Sequence, residues 1–324
     1  MIKYKDIDKK DKRILDALQC NSRMSYSDLA KDVGLVRETA YYRVLSLEKR
    51  GIIRKYVSFI DISKFGLSIY CVFLNLSTSS VDARKKIIAR IRSDPNVTWA
   101  ASVGSYYDLV FAIQATDARH FKTTYADLCE GFKEHIHEER FSQRVRLEAN
   151  PIDKNPQKNT RMIYSGMDSH PEIDDLDKGI LKRIMEDSRV SILQLSDLLK
   201  RPGSTIKARL KRLEMLGIIQ GYGILLDYER LGVQVYQLLI TTTSLNREES
   251  RMLHSYCRSI ENIPFYAETI APWSFEITVL VEDNTNLQSI LNDLKERLGS
   301  RLKAIEVIPT FDYYLKYQSL GKAV

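Results

Sequence analysis

The chain has 324 residues, of which 44% are hydrophobic and 28% charged, an ordinary soluble globular balance with room for two or three domains. No apolar run approaches the roughly 18 residues of a membrane helix, and the charged N-terminus lacks a signal-peptide core, so we expect a cytoplasmic protein with no membrane partner. The net charge of +7 favours a polyanionic partner.

The sequence carries no pattern typical of a metal or cofactor site. Cys20, Cys71, Cys129 and Cys257 show no CxxC spacing and fall within helical or strand patterns, which predicts buried free thiols rather than zinc ligands. A P-loop, a dinucleotide glycine fingerprint, an HExxH motif and a Ser-His-Asp pattern are also lacking. We therefore expect no cofactor, no metal and no catalytic residues.

Three helical patterns open the chain: Asp8 to Leu18, Tyr26 to Val33 with Ser25 as its cap, and Val36 to Arg50. Three helices with a tight turn before the third form the arrangement whose last helix enters a DNA major groove. The stripe of Ala40, Val44 and Leu47 faces the core. The residues predicted to contact DNA are Arg37, Glu38, Thr39, Tyr41, Tyr42 and Ser46 on the third helix and Arg54 and Lys55 in a basic wing.

A βαββαβ pattern follows. Its predicted elements are a strand Ile69 to Thr78, a helix Val81 to Arg92, strands Val97 to Val103 and Tyr107 to Thr116, a helix Phe121 to Ile136 and a strand Glu139 to Leu147. This order gives a four-stranded antiparallel sheet with both helices on one face, which leaves the other face free to pack on a second sheet. Residues 151–172 then read as a linker, because proline and glycine punctuate them without periodicity.

The same pattern is written a second time. Helices are predicted at Leu176 to Met185, at Ser191 to Leu199 with Ser191 as cap, and at Ser204 to Gly217, where Ile206, Leu210 and Leu213 form the apolar stripe. We expect Ser204 to cap this basic third helix and Gly217 to end it in a left-handed conformation. Its predicted DNA contacts are Ser204, Thr205, Lys207, Lys211 and Arg212.

Beyond this helix, Ile218 to Leu225 reads as two strand-like runs around a glycine pair, which completes a winged helix-turn-helix. The second sheet is predicted from Val235 to Thr243, Arg247 to Ile260, Pro264 to Ile270, Phe275 to Glu282, Leu287 to Leu298 and Ala304 to Phe311.

An offset of 166 residues aligns the two copies without gaps over most of the chain, for example Ile14 with Ile180 and Asp117 with Asp283. The fold class is therefore α+β, with two tandem modules that each comprise a winged helix-turn-helix and a ferredoxin-like, RAM-type sheet domain. We place the boundaries at 1–60 and 61–150 for the first module, 151–172 for the linker, and 173–226 and 227–324 for the second module.

The duplication lets the two third helices be compared position by position. Arg43 and Arg209 share a repeat position near the apolar edge, which suits a structural ion pair, with Glu48 and Glu214 as the partners nearest in sequence. The outward faces differ: Arg37, Glu38, Tyr41, Tyr42 and Ser46 match Gly203, Ser204, Lys207, Ala208 and Arg212. Two different faces predict an operator with unlike half-sites, because operator symmetry mirrors protein symmetry.

Residues 11–35, together with V-G-S-Y-Y-D-L-V-F at 103–111, resemble the Lrp/AsnC family of leucine-responsive-type transcription regulators. The resemblance covers nearly all of the chain, twice. It implies binding of double-stranded DNA, pairing of the sheet domains, here within one chain as a pseudo-dimer, and an amino-acid effector near the loop between the central strands. The matching loop positions are Gly104, Tyr107 and Asp108, with a plain hairpin turn as the alternative.

In the second copy the aligned loop positions are Ile270, Trp273 and Ser274, which depart from the family pattern and argue against a second effector site. Two other functions compete with DNA regulation. Tandem chains of this architecture also resemble sirohaem decarboxylases, but the five histidines lie away from the predicted central strands, which leaves that chemistry without its acid and base groups. A metabolite sensor that has lost DNA binding is the third reading, and the cationic face of the helix at 204 argues against it.

Overall fold

The computed structural model describes residues 4–77, 80–150, 161–164, 166 and 170–315, without side-chain detail for 161–162 and 313–315. None of the described helices is long and apolar enough to cross a membrane. The N-terminal and C-terminal ends of the predicted domains, the end of the strand predicted to reach Thr78, and most of the predicted linker lie outside these residues.

The first helix-turn-helix consists of α1 (Lys9–Cys20), α2 (Tyr26–Val33) and α3 (Arg37–Lys49), followed by strand β1 (Ile53–Ile60). Ser25 caps α2 by accepting the Asp28 N–H, as predicted, and Gly34 ends this helix at φ +66°. Asp8 caps α1 in the same way. The caps fix the two tight turns, so the third helix is held against the first two.

The first sheet domain contains β2 (Ser68–Leu76), α4 (Val81–Ser93), β3 (Val97–Val103), β4 (Leu109–Ala115), α5 (Ala118–Cys129) and β5 (Ile136–Ala149). Its strands lie in the antiparallel order β5-β2-β4-β3, as the βαββαβ pattern predicts. Both helices pack on one face through a core that includes Ile87, Phe111 and Phe121. The predicted helix to Ile136 is too long, because the chain leaves α5 at Cys129 and β5 begins at Ile136.

The second module repeats these elements. Its helix-turn-helix is formed by α6 (Asp175–Glu186), α7 (Ile192–Leu199), α8 (Gly203–Met215) and β7 (Ile219–Leu226). Its sheet domain is formed by β8 (Gln234–Thr242), α9 (Arg247–Ser259), β9 (Phe265–Ile270), β10 (Phe275–Val281), α10 (Asn284–Leu298) and β11 (Leu302–Leu315). The strand order is β11-β8-β10-β9, the counterpart of the first sheet.

Two local predictions are wrong. Residues 219–226 form the single strand β7 and not two runs around a glycine pair. A short strand, β6 (Arg161–Tyr164), lies inside the predicted linker, where it pairs with β5 and buries Ile163 and Tyr164. Both differences arise from strand pairing, of β7 with the remote strand β1 and of β6 with the preceding strand β5, which composition does not reveal.

The two modules are joined at three strand pairings. β1 pairs with β7, β3 pairs with β11, and β5 pairs with β9, all antiparallel. Since β5 also pairs with β2, the eight long strands of the two sheet domains close into a ring. The inner faces meet inside it, where the rings of Phe73 and Trp273 lie 4.8 Å apart in an edge-to-face contact.

The contacts between the modules follow a pseudo-twofold axis. Val57 faces Gly223 in the β1–β7 register, and these two residues are equivalent in the repeat. The hydroxyls of the equivalent residues Ser22 and Ser188 lie 2.6 Å apart, and both residues are fully buried. Contacts between equivalent positions are those of an isologous interface. The contacts between the two modules therefore have approximate twofold symmetry.

Candidate nucleic-acid interface

The third helix of each module is pinned to its core by the predicted stripe. Ala40, Val44 and Leu47 are fully buried on α3, and Ile206, Leu210 and Leu213 are buried on α8. Gly217 has φ +65°, which confirms the left-handed stop. The predicted cap at Ser204 is wrong, because the helix begins at Gly203 with Pro202 as its cap residue and no side-chain cap. Ser204 therefore lies in the first turn with its hydroxyl outward.

The outward face of α3 carries all the predicted contact residues in exposed positions: Arg37, Glu38, Thr39, Tyr41, Tyr42 and Ser46. Arg37 and Glu38 form an exposed ion pair at 3.6 Å. The Tyr41 ring contacts the Tyr26 ring edge-to-face at 5.1 Å, whereas Tyr42 keeps 68% of its surface exposed. This face combines aromatic surface with charges of both signs.

The outward face of α8 is simpler and more cationic. Ser204, Lys207 and Lys211 are exposed, and Thr205 is half-buried. Within the described part of the chain neither lysine has an acidic partner. Two ammonium groups that are not neutralised by the protein remain available to phosphate.

Arg212, also predicted to contact DNA, is bonded within the protein. Its guanidinium donates to Asp177 at 2.6 Å and to the Glu172 carbonyl at 2.8 Å, so the charge is directed into the protein and not toward a base. Asp177 is fully buried and also accepts from Arg209 at 3.1 Å. In the first module Arg43 pairs in the same way with Asp8 and Asp11, both at 2.7 Å.

Arg43 and Arg209 thus form the predicted structural ion pairs, but with other partners than predicted. Glu48 and Glu214 instead accept from the hydroxyls of Tyr56 and Tyr222, the latter at 2.8 Å. Burial, and then the hydrogen bond to the carboxylate, raises the pKa of Tyr56 well above its ordinary value. These tyrosines attach each third helix to the strand that follows it.

The predicted basic wing at Arg54 and Lys55 belongs to the seam between modules. Both residues lie on β1, which pairs with β7 along its length. Arg54 donates twice to Asp227 of the second module, at 2.6 and 2.9 Å, and Lys55 is half-buried, so its pKa is lowered by desolvation. Burial raises the pKa of Asp227, but the Arg230 N–H and Arg54 outweigh it and the pKa is lowered.

Sequence reasoning missed a cleft of about 380 Å³ that opens beside the pseudo-twofold axis. It is lined by Arg23, Arg37 and Arg189, together with the start of α2 and the residues just before α7. Arg23 stacks over Tyr222 at 5.2 Å, and its repeat equivalent Arg189 stacks over Tyr56 at 5.1 Å. The repeat alignment of Arg23 with Arg189 was the available signal. Three cations therefore line one cleft to which both modules contribute.

The residues of the predicted effector loop are engaged by the protein. Asp108 accepts the Leu76 N–H at 2.7 Å and the Arg84 guanidinium at 2.6 Å. Tyr107 is 3% exposed, and burial raises its pKa to about 12. Gly104 donates to the Pro309 carbonyl at 2.8 Å, and a Cβ here would lie 2.9 Å from the Phe311 ring, so its close approach is to β11.

The aligned positions of the second module are Ile270, Trp273 and Ser274. Trp273 is buried and donates through its indole N–H to Glu276 at 3.1 Å. Ile270 keeps 66% of its surface exposed, and the hydroxyls of Ser274 and Thr242 lie 2.9 Å apart. This turn is closed by core packing. The four cysteines are free, with Cys71, Cys129 and Cys257 buried as predicted and Cys20 half-buried. No cluster of three metal-ligating side chains occurs among the described residues.

Comparison with known proteins agrees with this geometry. Residues 7–54 and 173–220 match the family model for winged helix-turn-helix DNA-binding. The chain is therefore a DNA-binding protein that contains two copies of this domain. The HTH-type transcriptional regulator PF0864 of Pyrococcus furiosus is 45% identical over 146 residues, which are 44% of this chain and 89% of that relative. The chain belongs to the Lrp/AsnC family of transcription regulators, as a tandem duplicated member.

Two further comparisons set the limits of this assignment. PF1734 of the same organism is 43% identical over 68 residues, and the chain spans 46% of that relative's length. The siroheme decarboxylase NirDL superposes with a TM-score of 0.62 over 95% of this chain and 93% of that chain, at 11% identity. Identity this low shows a shared fold alone. Both sequence relatives are named as HTH-type transcriptional regulators, and the chain shares the winged helix-turn-helix family with them.

Proposed function

We propose that one chain acts as a pseudo-dimer that places both helix-turn-helix units on one stretch of double-stranded DNA. The observation that carries this proposal is the outward cationic face of α8, held in pseudo-twofold relation to α3 by the β1–β7 pairing. Twofold-related third helices are suited to two major-groove segments about one helical turn apart. Acting on the chromosome, the protein would work in the cytoplasm.

In this proposal Lys207 and Lys211 contact phosphates, and Ser204 and Thr205 contact the DNA backbone from the first turn of α8. On α3, Arg37 and Glu38 contact base edges, and Tyr41 and Tyr42 contribute aromatic surface. Arg54, Lys55 and Arg212 act as supports, because each is paired or half-buried in the seam or core. Arg23 and Arg189 then line the surface between the two grooves.

A salt titration tests the DNA proposal. Each phosphate neutralised adds roughly −0.9 to the slope of log K against log salt. The Lys207→Ala/Lys211→Ala variant should therefore weaken binding to every duplex and reduce the slope by about 1.8. Fluorescence anisotropy at several salt concentrations measures both quantities.

Lys295→Ala provides the matched control, because this lysine is exposed on α10, far along the chain from either third helix. It should bind DNA with the affinity and slope of the wild type. Equal slopes for the wild type and the double alanine variant would remove α8 from the interface.

The two faces differ at nearly every matching position, and we infer an operator with unlike halves. Glu38 suits a cytosine amino group, whereas its equivalent Ser204 is a short hydroxyl. Tyr41 and Lys207 occupy another pair of equivalent positions and favour aromatic contact and phosphate contact, respectively. A single chain would then bind such a site in one fixed orientation.

Modulation by a small effector is the last part of the proposal. An amino acid at Gly104, Tyr107 and Asp108 would have to displace Arg84 from Asp108 and enter beside a buried tyrosine.

A further inference from the structure

The cleft of about 380 Å³ beside the pseudo-twofold axis takes its wall from both modules, but unequally. Three pairs of repeat equivalents line it: Arg23 with Arg189, Met24 with Val190, and Ser25 with Ser191. The first module alone adds Tyr26, Ser27 and Arg37. The repeat equivalent of Arg37 is Gly203, so the third arginine of the cleft lies on the side of α3. No acidic side chain occurs among the described residues of this wall.

Arg23 and Arg189 carry charges that no carboxylate neutralises within the described part of the chain. Arg23 stacks over a tyrosine ring of β7 and donates to the Ser188 carbonyl at 2.5 Å. Arg189 stacks over Tyr26 at 4.6 Å and over Tyr56 at 5.1 Å, and its Nη1 atom is buried without a hydrogen-bond partner among the described residues. Aromatic faces hold these guanidinium groups in place but leave their positive charge unbalanced. Like charges that face one cleft repel each other, and a bound anion offsets that cost.

The third arginine of the cleft can turn toward a ligand. Arg37 begins α3, and its side chain is 65% exposed. The carboxylate of Glu38 lies 3.6 Å away and is itself exposed, and ion pairs of this kind contribute little and are screened by salt. A guanidinium fork matches phosphate oxygens bidentately, and a phosphate monoester carries a charge of about −1.5 to −2 with three acceptor oxygens. One such group can accept from several arginines at once, whereas a carboxylate has two oxygens and a single charge.

We propose that this cleft binds a phosphate group through Arg23 and Arg189, with Arg37 as a third ligand when the phosphate belongs to a free molecule. The same chemistry has a second source, a backbone phosphate of bound DNA, and that source rests on the proposed function. The two sources use Arg37 differently, because the proposed function places this arginine at a base edge. A free phosphate that holds Arg37 in the cleft would compete with DNA, whereas a backbone phosphate in the cleft would strengthen DNA binding.

Inorganic pyrophosphate is the probe for the free source, because it presents phosphate oxygens without a sugar or a base. Isothermal titration calorimetry of the full chain without DNA, at physiological salt, should show one saturable site. Arg189→Gln and Arg37→Ala should each weaken pyrophosphate binding by roughly tenfold or more. Arg247→Ala is the matched control and should bind like the wild type, since Arg247 is exposed, begins α9 and precedes a glutamate, as Arg37 does on α3, but lies outside the cleft. Pyrophosphate should also displace DNA from the wild type.

A salt titration of DNA binding identifies the second source. If the phosphate belongs to DNA alone, pyrophosphate should not bind, and Arg189→Gln should reduce the slope of log K against log salt by about 0.9 relative to Arg247→Ala. Arg23→Gln, with the same expected direction, replaces Arg189→Gln if that variant fails to fold. A chain that binds pyrophosphate but no DNA keeps the phosphate site and loses the proposed function. Absence of pyrophosphate binding without a fall in the slope would overturn the phosphate site, as would equal pyrophosphate binding by the wild type and the cleft variants.

Discussion

Two cationic residues of α8 have different roles, one in stabilising the fold and one in the proposed DNA contact. Lys207 and Arg212 both project from the outward half of α8, yet only Arg212 reaches an acidic partner, the buried Asp177. A guanidinium can bend back and bond both a carboxylate and a carbonyl, whereas the lysine ammonium here stays in solvent. Charge counts along a helix therefore overestimate the number of side chains that are free to contact DNA.

Arg212→Ala should lower the free energy of unfolding by about 1 kcal/mol, because one charged hydrogen-bonding partner of Asp177 is lost while Arg209 remains. Lys207→Ala, on the same helix, should leave stability within about 0.5 kcal/mol of the wild type. Urea unfolding followed by circular dichroism measures both. If Arg212→Ala is as stable as the wild type and alters the preference at one base pair, the arginine reads DNA instead.

The strand seams show how an element can be specified by partners outside its own module. At the β5–β9 seam, fully buried Glu148 accepts from Arg258 at 2.8 Å, from Arg146 at 2.5 Å and from the Tyr266 hydroxyl. At the β3–β11 seam the equivalent facing residues are Tyr314 and Ala100, opposite each other across the strands. A buried carboxylate therefore ties the β5–β9 seam, whereas the sequence places no charged residue at the matching pair of the β3–β11 seam.

Glu148→Gln should destabilise the chain by roughly 3 kcal/mol, because it leaves Arg258 and Arg146 without their buried counter-charge. Glu138→Gln, near the exposed end of the same strand, should cost less than about 1 kcal/mol. Chemical denaturation of the three proteins at neutral pH gives these differences. Equal stability of Glu148→Gln and the wild type would mean that the seam does not depend on this carboxylate.

The effect of Glu148→Gln on the free energy of unfolding should depend on pH. Burial raises the pKa of Glu148, but the hydrogen bonds from Arg258 and Tyr266 and the charge of Arg146 outweigh burial, so the pKa is lowered. A carboxyl with a depressed folded pKa contributes stability above its unfolded value of about 4.3 and loses it as the pH falls through the folded value. The stability gap between wild type and Glu148→Gln should be constant near neutrality and should narrow in acid below about pH 4. A gap that widens in acid would contradict this sign.

Most elements of each module could be predicted, because helix caps, apolar stripes and strand alternation are local signals. Ser25, Ser191 and Gly217 mark helix ends where the structure has them. The failures lie where strand pairing decides the structure: β6 pairs with the preceding strand β5, and β7 is one strand because the remote strand β1 lies beside it. The pairing of Arg212 and the cleft at Arg23 and Arg189 likewise depend on tertiary contacts that sequence spacing does not encode.

At the scale of the whole molecule, the contacts near the pseudo-twofold axis are alike in the two copies, whereas the outward surfaces differ. The axis contacts of Ser22 with Ser188, and of Tyr56 and Tyr222 with opposite arginines, are retained in both copies. The residues of the third-helix faces differ between the two copies. Two modules joined in one chain need not be identical. We expect function to depend on both features: the symmetric contacts hold the two modules together, and the different faces of α3 and α8 contact different DNA sequences.

Tethered cleavage on an operator tests this expectation most directly. Arg37→Cys in a Cys20→Ser background places one accessible thiol beside α3, because Cys71, Cys129 and Cys257 are buried. An iron chelate attached there cuts the DNA next to the first module alone. We predict one chain per operator and cuts confined to one half-site. Equal cutting in both half-sites would show that like helices from two chains read a palindrome, and would contradict the single-chain pseudo-dimer.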